Sequence, residues 1–276
     1  MEYKGKKFAW PLSKIDLEYF YINEKLSTLQ IGLLFSKACG TVSHFIKKYS
    51  IPNLAVWERR NFPTELNEIE KEIVLGYLLG DGHLGVNSKY AHLRVSQSLQ
   101  QYGFVEQMFT YLERWASNKP REDKKLDKRQ GKEYYSCRFD TVAHPAFQTL
   151  YELCYKDGVK TVTLEWLSYI GDLGLALWYE GDGGLHKANG PLAVLKTNSF
   201  TLKEHEIMVG WFKSNFNIEA YYRLTKKGYN ICIIDGITFR KCVEPHIIPY
   251  FKYKLPRERM RKPRNLKWAR NSSCTK

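Results

Sequence analysis

Two carboxylates stand out by where the chain puts them. The phrases Val74-Leu-Gly-Tyr-Leu-Leu-Gly-Asp81-Gly82 and Leu175-Ala-Leu-Trp-Tyr-Glu-Gly-Asp182-Gly183 are each an apolar run that stops at Gly-Asp-Gly. Each run predicts a helix, and an aspartate at a helix C-terminus faces the negative end of the helix dipole, a poor place for stability. The same unfavourable choice recurs after about 100 residues, so it is read as serving chemistry. Two apolar helices packed side by side would bring Asp81 and Asp182 to one point. Paired carboxylates repel each other, and a shared cation removes that cost. A divalent cation also activates water and neutralises a leaving oxygen, which phosphodiester hydrolysis requires. Hard oxygen ligands suit Mg²⁺, with Mn²⁺ as a substitute. Gly82 and Gly183 are expected to end their helices in the left-handed conformation. Gly76 and Gly80, four apart, leave room for a second helix, and Leu177 stands where the first copy has Gly76.

The elements around the acids repeat in the same order. Residues 63–160 and 161–255 read as two related halves. In the first, a helix over about Asn67–Leu79 precedes strand-like runs at Leu84–Val86 and Ala91–Ser96. An amphipathic helix follows, with Phe104, Met108, Leu112 and Trp115 on one face. A basic turn, a strand at Tyr134–Asp140 and a helix at Ala143–Tyr155 complete it. In the second half the motif helix leads to a strand at Ala193–Lys196. Thr201-x-x-Glu204 then caps a helix carrying Ile207, Trp211 and Phe212. A hairpin, Glu219–Leu224 with Tyr229–Ile234, turns on Lys226-Lys227-Gly228, and a helix closes the half at Ile237–Pro245.

Residues 1–62 read as a separate helical module and linker. Asp16–Glu24 predicts a short helix, and Ser27-x-x-Gln30 is a capping-box start for a second. Thr41, Val42, Phe45 and Ile46 carry a third, which ends in Lys47-Lys48-Tyr49. Two short helices around a tight turn match the helix-turn-helix pattern, with Ser36 and Lys37 in place of the usual glycine and apolar residue. Thr41, Ser43, His44, Lys47 and Lys48 are its candidate DNA contacts. Pro52–Pro63, with Arg59-Arg60-Asn61, reads as the linker. Residues 256–276 form a basic tail suited to phosphate contacts.

Composition narrows the partner. The 276 residues carry a formal net charge of +14 and are 43% hydrophobic, so the chain folds and seeks an acidic partner. Double-stranded DNA is favoured over membrane, since no apolar stretch approaches the length of a span. The N-terminal sequence lacks the apolar stretch of a secretory signal. Six scattered cysteines form no C-x-x-C pair, which fits reduced thiols in an intracellular, DNA-associated protein.

The two motif phrases, with the element order from Thr64 to Leu255, resemble the single-chain, two-motif LAGLIDADG homing endonucleases. The resemblance implies an α+β fold of two pseudo-symmetric αββαββα halves. Together they would form a saddle-like antiparallel DNA-binding sheet in a monomer. It places the catalytic acids on Asp81 and Asp182, with Gly80 and Gly181 beside them as metal-binding positions. It further implies a late lysine in each half, Lys160 and Lys254, and polar neighbours that position water, Gln97 and Asn198. Glu180, whose counterpart is Leu79, falls outside that set. His83 and His186 read as DNA or water contacts.

Strand alternation offers Arg94, Lys124, Lys125, Lys128, Arg129 and Arg138 as DNA contacts in the first half. Lys187, Lys196, Arg223, Lys226 and Lys227 are those of the second. Because the halves differ, the target is expected to be long and pseudo-palindromic. The expected activity is metal-dependent double-strand DNA cleavage. The alternatives are an intron RNA maturase, which would take its own intron RNA as partner, and a catalytically silent DNA-binding regulator.

Overall fold

The computed structural model describes residues 1–54, 58, 62–86, 89–127, 131–186 and 192–256. The chain divides into two compact units, Met1–Pro63 and Thr64–Lys276. Lys128, Arg129, Lys187, Arg59-Arg60-Asn61 and nearly all of the basic tail lie outside the described residues.

In the first unit, strands β1 (Glu2–Tyr3) and β2 (Lys6–Lys7) form a small hairpin. Helices α1 (Lys14–Glu18), α2 (Thr28–Leu34) and α3 (Cys39–Lys48) follow. The helix expected through Glu24 is α-helical only to Glu18 and continues as a π-turn, Tyr19–Asn23. The capping box at α2 forms as its spacing predicts, with Ser27 and Gln30 exchanging backbone and side-chain hydrogen bonds. Leu17, Phe20, Ile31, Val42 and Ile46 are core residues of this unit. Ser36 holds the turn between α2 and α3 in the left-handed region, at φ 52°. That is the job a glycine more commonly does there.

The second unit carries two four-stranded antiparallel sheets built the same way. The first half runs α4 (Glu68–Leu79), β3 (His83–Val86), β4 (Ala91–Ser98), α5 (Tyr102–Leu112), β5 (Arg121–Asp127), β6 (Lys132–Asp140) and α6 (Pro145–Cys154). A short hairpin, β7 (Tyr155–Lys156) and β8 (Val159–Lys160), and helix α7 (Leu164–Leu167) lead into the second half. That half is α8 (Asp172–Asp182), β9 (Gly183–His186), β10 (Leu192–Leu195), α9 (Leu202–Phe216), β11 (Ala220–Thr225), β12 (Gly228–Ile233) and α10 (Gly236–Val243). The sheet orders, β3-β4-β6-β5 and β9-β10-β12-β11, correspond strand for strand.

Within the two four-stranded sheets, two strands escape a reading by pattern. The stretch holding Lys124 and Lys125, expected as a basic turn, is β5, paired along its length with β6. Its residues are mostly exposed, so no apolar alternation marks it, and pairing with β6 makes it a strand. Strand β9 starts directly at the end of α8 and is equally unmarked.

Packing within each half follows strand alternation. Leu93, Val95, Cys137 and Phe139 are buried, while their neighbours Arg94, Ser96 and Arg138 fall on the opposite face. Phe139 meets Phe109 of α5 edge-on, and Trp115 meets Phe147 of α6.

The apolar runs of α4 and α8, Ile73–Leu79 and Gly174–Tyr179, are buried on every side, as such continuous apolar sequence requires. They run parallel, with like ends together. At their closest approach Gly76 meets Gly174, where an added β-carbon would lie 2.4 Å from the Gly174 carbonyl oxygen. Gly174 is therefore the close contact of Gly76. Near the other end, Glu72 of α4 accepts the backbone N–H groups of Gly171 and Gly174 at 3.0 and 2.7 Å. It thereby caps α8, whose own N-cap, Gly171, has no side chain to do so. Glu72→Ala is expected to lower unfolding free energy by about 1.5–3 kcal/mol, the scale of a charge-assisted bond, in a denaturant titration. Glu72→Gln should lose less.

Candidate active site

Because α4 and α8 are parallel, their C-termini arrive together and carry Asp81 and Asp182 with them. The carboxylates cross over. A β-carbon on Gly181 would lie 3.3 Å from Asp81 Oδ2, and one on Gly80 would lie 3.7 Å from Asp182 Oδ2. Each acid thus leans over the backbone of the other motif. Gly82 and Gly183 depart from the left-handed expectation: neither has a positive φ, and Gly183 is extended at φ −77°, ψ 155°. Their requirement is space. A side chain would come within 2.6 Å of the Tyr77 carbonyl oxygen at Gly82, and within 2.2 Å of that of Tyr179 at Gly183.

A lysine serves each helix end. Lys160 Nζ donates to the carbonyls of Leu78 (2.9 Å) and Gly80 (3.2 Å). Lys254 Nζ donates to those of Glu180 (2.5 Å) and Gly181 (3.3 Å). Each ammonium neutralises the negative end of a helix and so offsets the cost of an acid placed there. Burial lowers the proton affinity of both lysines. For Lys160 the opposing pull comes first from Asp182 and then from Asp81. For Lys254 the charge of Lys196 adds to the lowering, and Asp81 leads the acids that oppose it. The crossing of the carboxylates therefore sets each lysine beside the acid of the opposite half.

Asp182 is pushed up to about 6, by burial first and by the charge of Asp81 second, against the pull of Lys160, Lys196 and Lys254. Glu180, buried beside it, is pushed up to about 8 by burial.

Gln97 donates to Asp81 Oδ2 at 3.0 Å. Asn198 lies elsewhere: its amide donates to Asn230 Oδ1 at 2.7 Å. The cross-strand register explains why. His83 pairs with Arg94 in the first sheet, and Gly184 with Val194 in the second. Counting three residues on from each, the counterpart of Gln97 is Thr197. A slip of one residue along a strand turns a side chain to the other face. Thr197 is buried and bonds His205 Nε2 at 2.8 Å, so the second half has no copy of the Gln97 contact. Lys196, a candidate DNA contact, also acts electrostatically on Asp182. With Asn198, Thr225, Lys226, Lys227 and Asn230 it also lines a cleft of about 350 Å³.

Among the other basic candidates, Arg94 donates to Asp140 at 2.6 Å, Arg138 pairs with Asp123, and Lys124 pairs with Glu133 at 2.7 Å. These arginines are held in place on the sheet by carboxylates. Lys125 stands opposite Tyr134 in the ladder, and Arg223, Lys226 and Lys227 are exposed around the β11–β12 turn. In the first unit His44, Lys47 and Lys48 are exposed on α3, with Thr41 and Ser43 half-buried. His83 is exposed, and its Nδ1 lies 3.4 Å from the Tyr155 hydroxyl.

The donor set fits a hard divalent cation: two carboxylates with the carbonyls of Gly80 and Gly181 at their side. Both carbonyls already accept from lysine and keep a second lone pair for a cation. Among the described residues no cluster of three or more His, Cys, Asp or Glu side chains offers another metal site. No helix among them is long and apolar enough to cross a membrane.

Comparison with known proteins agrees with this geometry. The "Probable intron-encoded endonuclease 1" of Wickerhamomyces canadensis is 26% identical over 199 residues, covering 70% of this chain and 86% of its own. The cytochrome b mRNA maturase bI2 of Debaryomyces hansenii is 25% identical over 205 residues, covering 71% of this chain and 76% of its own. The homing endonuclease I-WcaI, solved bound to its DNA recognition sequence, superposes with a TM-score of 0.65 at 26% identity. That match covers 70% of this chain and 88% of the other. The profile of the LAGLIDADG DNA endonuclease family matches residues 71–236. With two motif helices, two sheets of like topology and that match, the chain belongs to the LAGLIDADG DNA endonuclease family.

Proposed function

We propose that this protein is a site-specific double-strand DNA endonuclease that hydrolyses one phosphodiester in each strand at the crossed acids. The observation that carries the reading is the crossing itself: Asp81 over Gly181 and Asp182 over Gly80. Asp81, Asp182 and the carbonyls of Gly80 and Gly181 would hold a divalent cation, Mg²⁺ or in its place Mn²⁺. When bound, that cation supplies water activation and charge neutralisation. Gln97 holds the Asp81 carboxylate in orientation. Lys160 and Lys254 present positive charge where the phosphate gains negative charge in the transition state.

The two sheets offer the readout surface. Arginines steadied by Asp140 and Asp123 suit guanine in the major groove, at about 1–3 kcal/mol of discrimination for each good contact. The sheets differ in their side chains, so the site is pseudo-palindromic. The first unit acts as a helix-turn-helix module: α2 and α3 flank a tight turn, and α3 exposes His44, Lys47 and Lys48. Double-stranded DNA is the partner, and a monomer contains both motifs.

The test is cleavage of a target selected from a randomised library, with Mg²⁺ and with EDTA. A double-strand cut with Mg²⁺ alone is expected. No cut on any selected target, or a cut that persists in EDTA, would overturn the reading. In the same assay Lys47→Ala with Lys48→Ala should weaken binding and flatten its salt dependence while the cut stays at the same phosphates. A second reading, intron RNA maturation, is favoured by the similarity to a cytochrome b mRNA maturase. It predicts RNA splicing that survives loss of Asp81.

The reaction should depend on pH through Asp182, which must be ionised to hold a cation. Single-turnover cleavage is expected to rise as pH passes through about 6, with the midpoint moving down as the cation concentration is raised. Stability of the metal-free protein runs the other way. The folded carboxyl keeps its proton above the ordinary 3.8, so the fold loses stability as pH rises from there through about 6. A flat rate profile from pH 5 to 8 would exclude this role for Asp182.

A further inference from the structure

The segment that delivers Lys254 is anchored on its motif helix by two side chains that the first half lacks. Lys254 sits at the end of a 3₁₀ turn, Pro249–Lys254, with Ile248 as its N-cap. The Glu180 carboxylate accepts the Ile248 N–H at 2.8 Å through Oε1. The Tyr179 hydroxyl donates to the carbonyl of Lys254. Both ends of the turn are thus tied to consecutive residues of α8, and the Lys254 ammonium reaches back to the carbonyls of Glu180 and Gly181.

The first half solves the same problem locally. Lys160 arrives on the β7–β8 hairpin, where Tyr155 pairs with Lys160 and Lys156 with Val159. Its turn is shaped by left-handed Asp157 and Gly158. The positions equivalent to Tyr179 and Glu180 are Leu78 and Leu79, both buried and without a polar group. Leucine therefore satisfies the packing at this point of a motif helix. A carboxyl only 1% exposed is a costly choice by comparison. Its Oε1 gives the N-terminus of the turn an acceptor that packing alone would not, while Oε2 has no partner among the described residues.

We propose that Glu180 is a positioning residue for Lys254, and that through Lys254 it controls the cleavage of one DNA strand and not the other. The proposal rests on the endonuclease reading of the crossed acids. Loss of the Ile248 anchor lets the start of the turn unwind and moves the ammonium at its end. Lys160, on its own hairpin, keeps its place. Displacements of about 1 Å in a catalytic group can cost about 100-fold in rate.

The test uses full-length protein, a supercoiled plasmid carrying the target, and Mg²⁺. Wild type should linearise it. Glu180→Leu, which installs the first-half residue, should accumulate nicked circles, with one strand cut at the wild-type rate and the other roughly 10- to 100-fold slower. End-labelled target should place the nicks on a single strand. Glu180→Gln keeps an acceptor for the Ile248 N–H and should linearise the plasmid as wild type does. Tyr179→Phe keeps the ring, loses only the hydroxyl, and should slow the same strand even if Glu180→Leu fails to fold. Equal slowing of both strands, or nicking by Glu180→Gln as strong as by Glu180→Leu, would overturn the proposal. Wild-type protein that cuts neither strand would instead overturn the endonuclease reading on which it rests.

Discussion

Asp81→Asn and Asp182→Asn are each expected to abolish double-strand cleavage while DNA binding persists. Under the proposed mechanism, either change removes a negative ligand from a site where two carboxylates would share the charge of a cation. The loss is expected to be about 4 kcal/mol of transition-state stabilisation, or about 1000-fold in rate. Single-turnover cleavage beside a mobility-shift assay separates the two effects. The variants should differ in stability. Asp182 is a half-buried acid with a raised pKa, and Asn removes both its desolvation and its repulsion by Asp81. Asp182→Asn should therefore melt higher than wild type in EDTA at pH 8, and the gain should shrink when Mg²⁺ is added. A variant that still linearises its target at the wild-type rate would remove that acid from the site. Equal melting temperatures in EDTA would deny the charge strain.

Gly76→Ala is expected to be among the most damaging single-methyl changes in the second unit. The added β-carbon would sit 2.4 Å from the carbonyl oxygen, 2.5 Å from Cα and 2.8 Å from the carbonyl carbon of Gly174. All three are backbone atoms on a buried helix, so no side chain can swing aside and the helices must separate. Overpacking of this kind typically costs about 1–3 kcal/mol, and a backbone clash belongs at the upper end. At about 2–4 °C per kcal/mol for a unit of this size, the melting temperature should fall by roughly 6–12 °C. The same separation spreads Asp81 from Gly181 and Asp182 from Gly80, so cleavage should fall further than stability does. Melting and single-turnover assays at 25 °C would show both. A variant that melts and cuts as wild type would show that the helices have slack at this crossing. Gly103→Ala, at a glycine with nothing within 4 Å of an added β-carbon, is the control.

Glu72 and Lys196 show where pattern reading stops. Glu72 looks like one more charge on the first turns of a helix, and its role is to cap a different helix about 100 residues away. Lys196 looks like a strand-end lysine for DNA, and it stands where it can draw down Asp182. Neither carries a local mark: the partners of Glu72 come from the other half, and Lys196 is brought to Asp182 only by the pairing of β10 with β9. Strand β5 escaped for the opposite reason: its alternation is invisible when both faces meet solvent. Asn198 looks like the counterpart of Gln97, a place that belongs to Thr197, because strand registers cannot be counted without knowing which residues pair across β3–β4 and β9–β10.

Legible in the residues alone were the two acids, the repeat of elements about 100 residues apart, the capping boxes and the acidic nature of the partner. These are local or periodic properties, written in apolar spacing, Gly-Asp-Gly and charge. Which backbone each acid leans over, which glycines face each other, and which helix end each lysine serves emerge with the packing. Those depend on the parallel packing of α4 and α8. Their crossing point is set by the Gly76–Gly174 contact, where a side chain on either residue would meet the other helix's backbone or its Glu72.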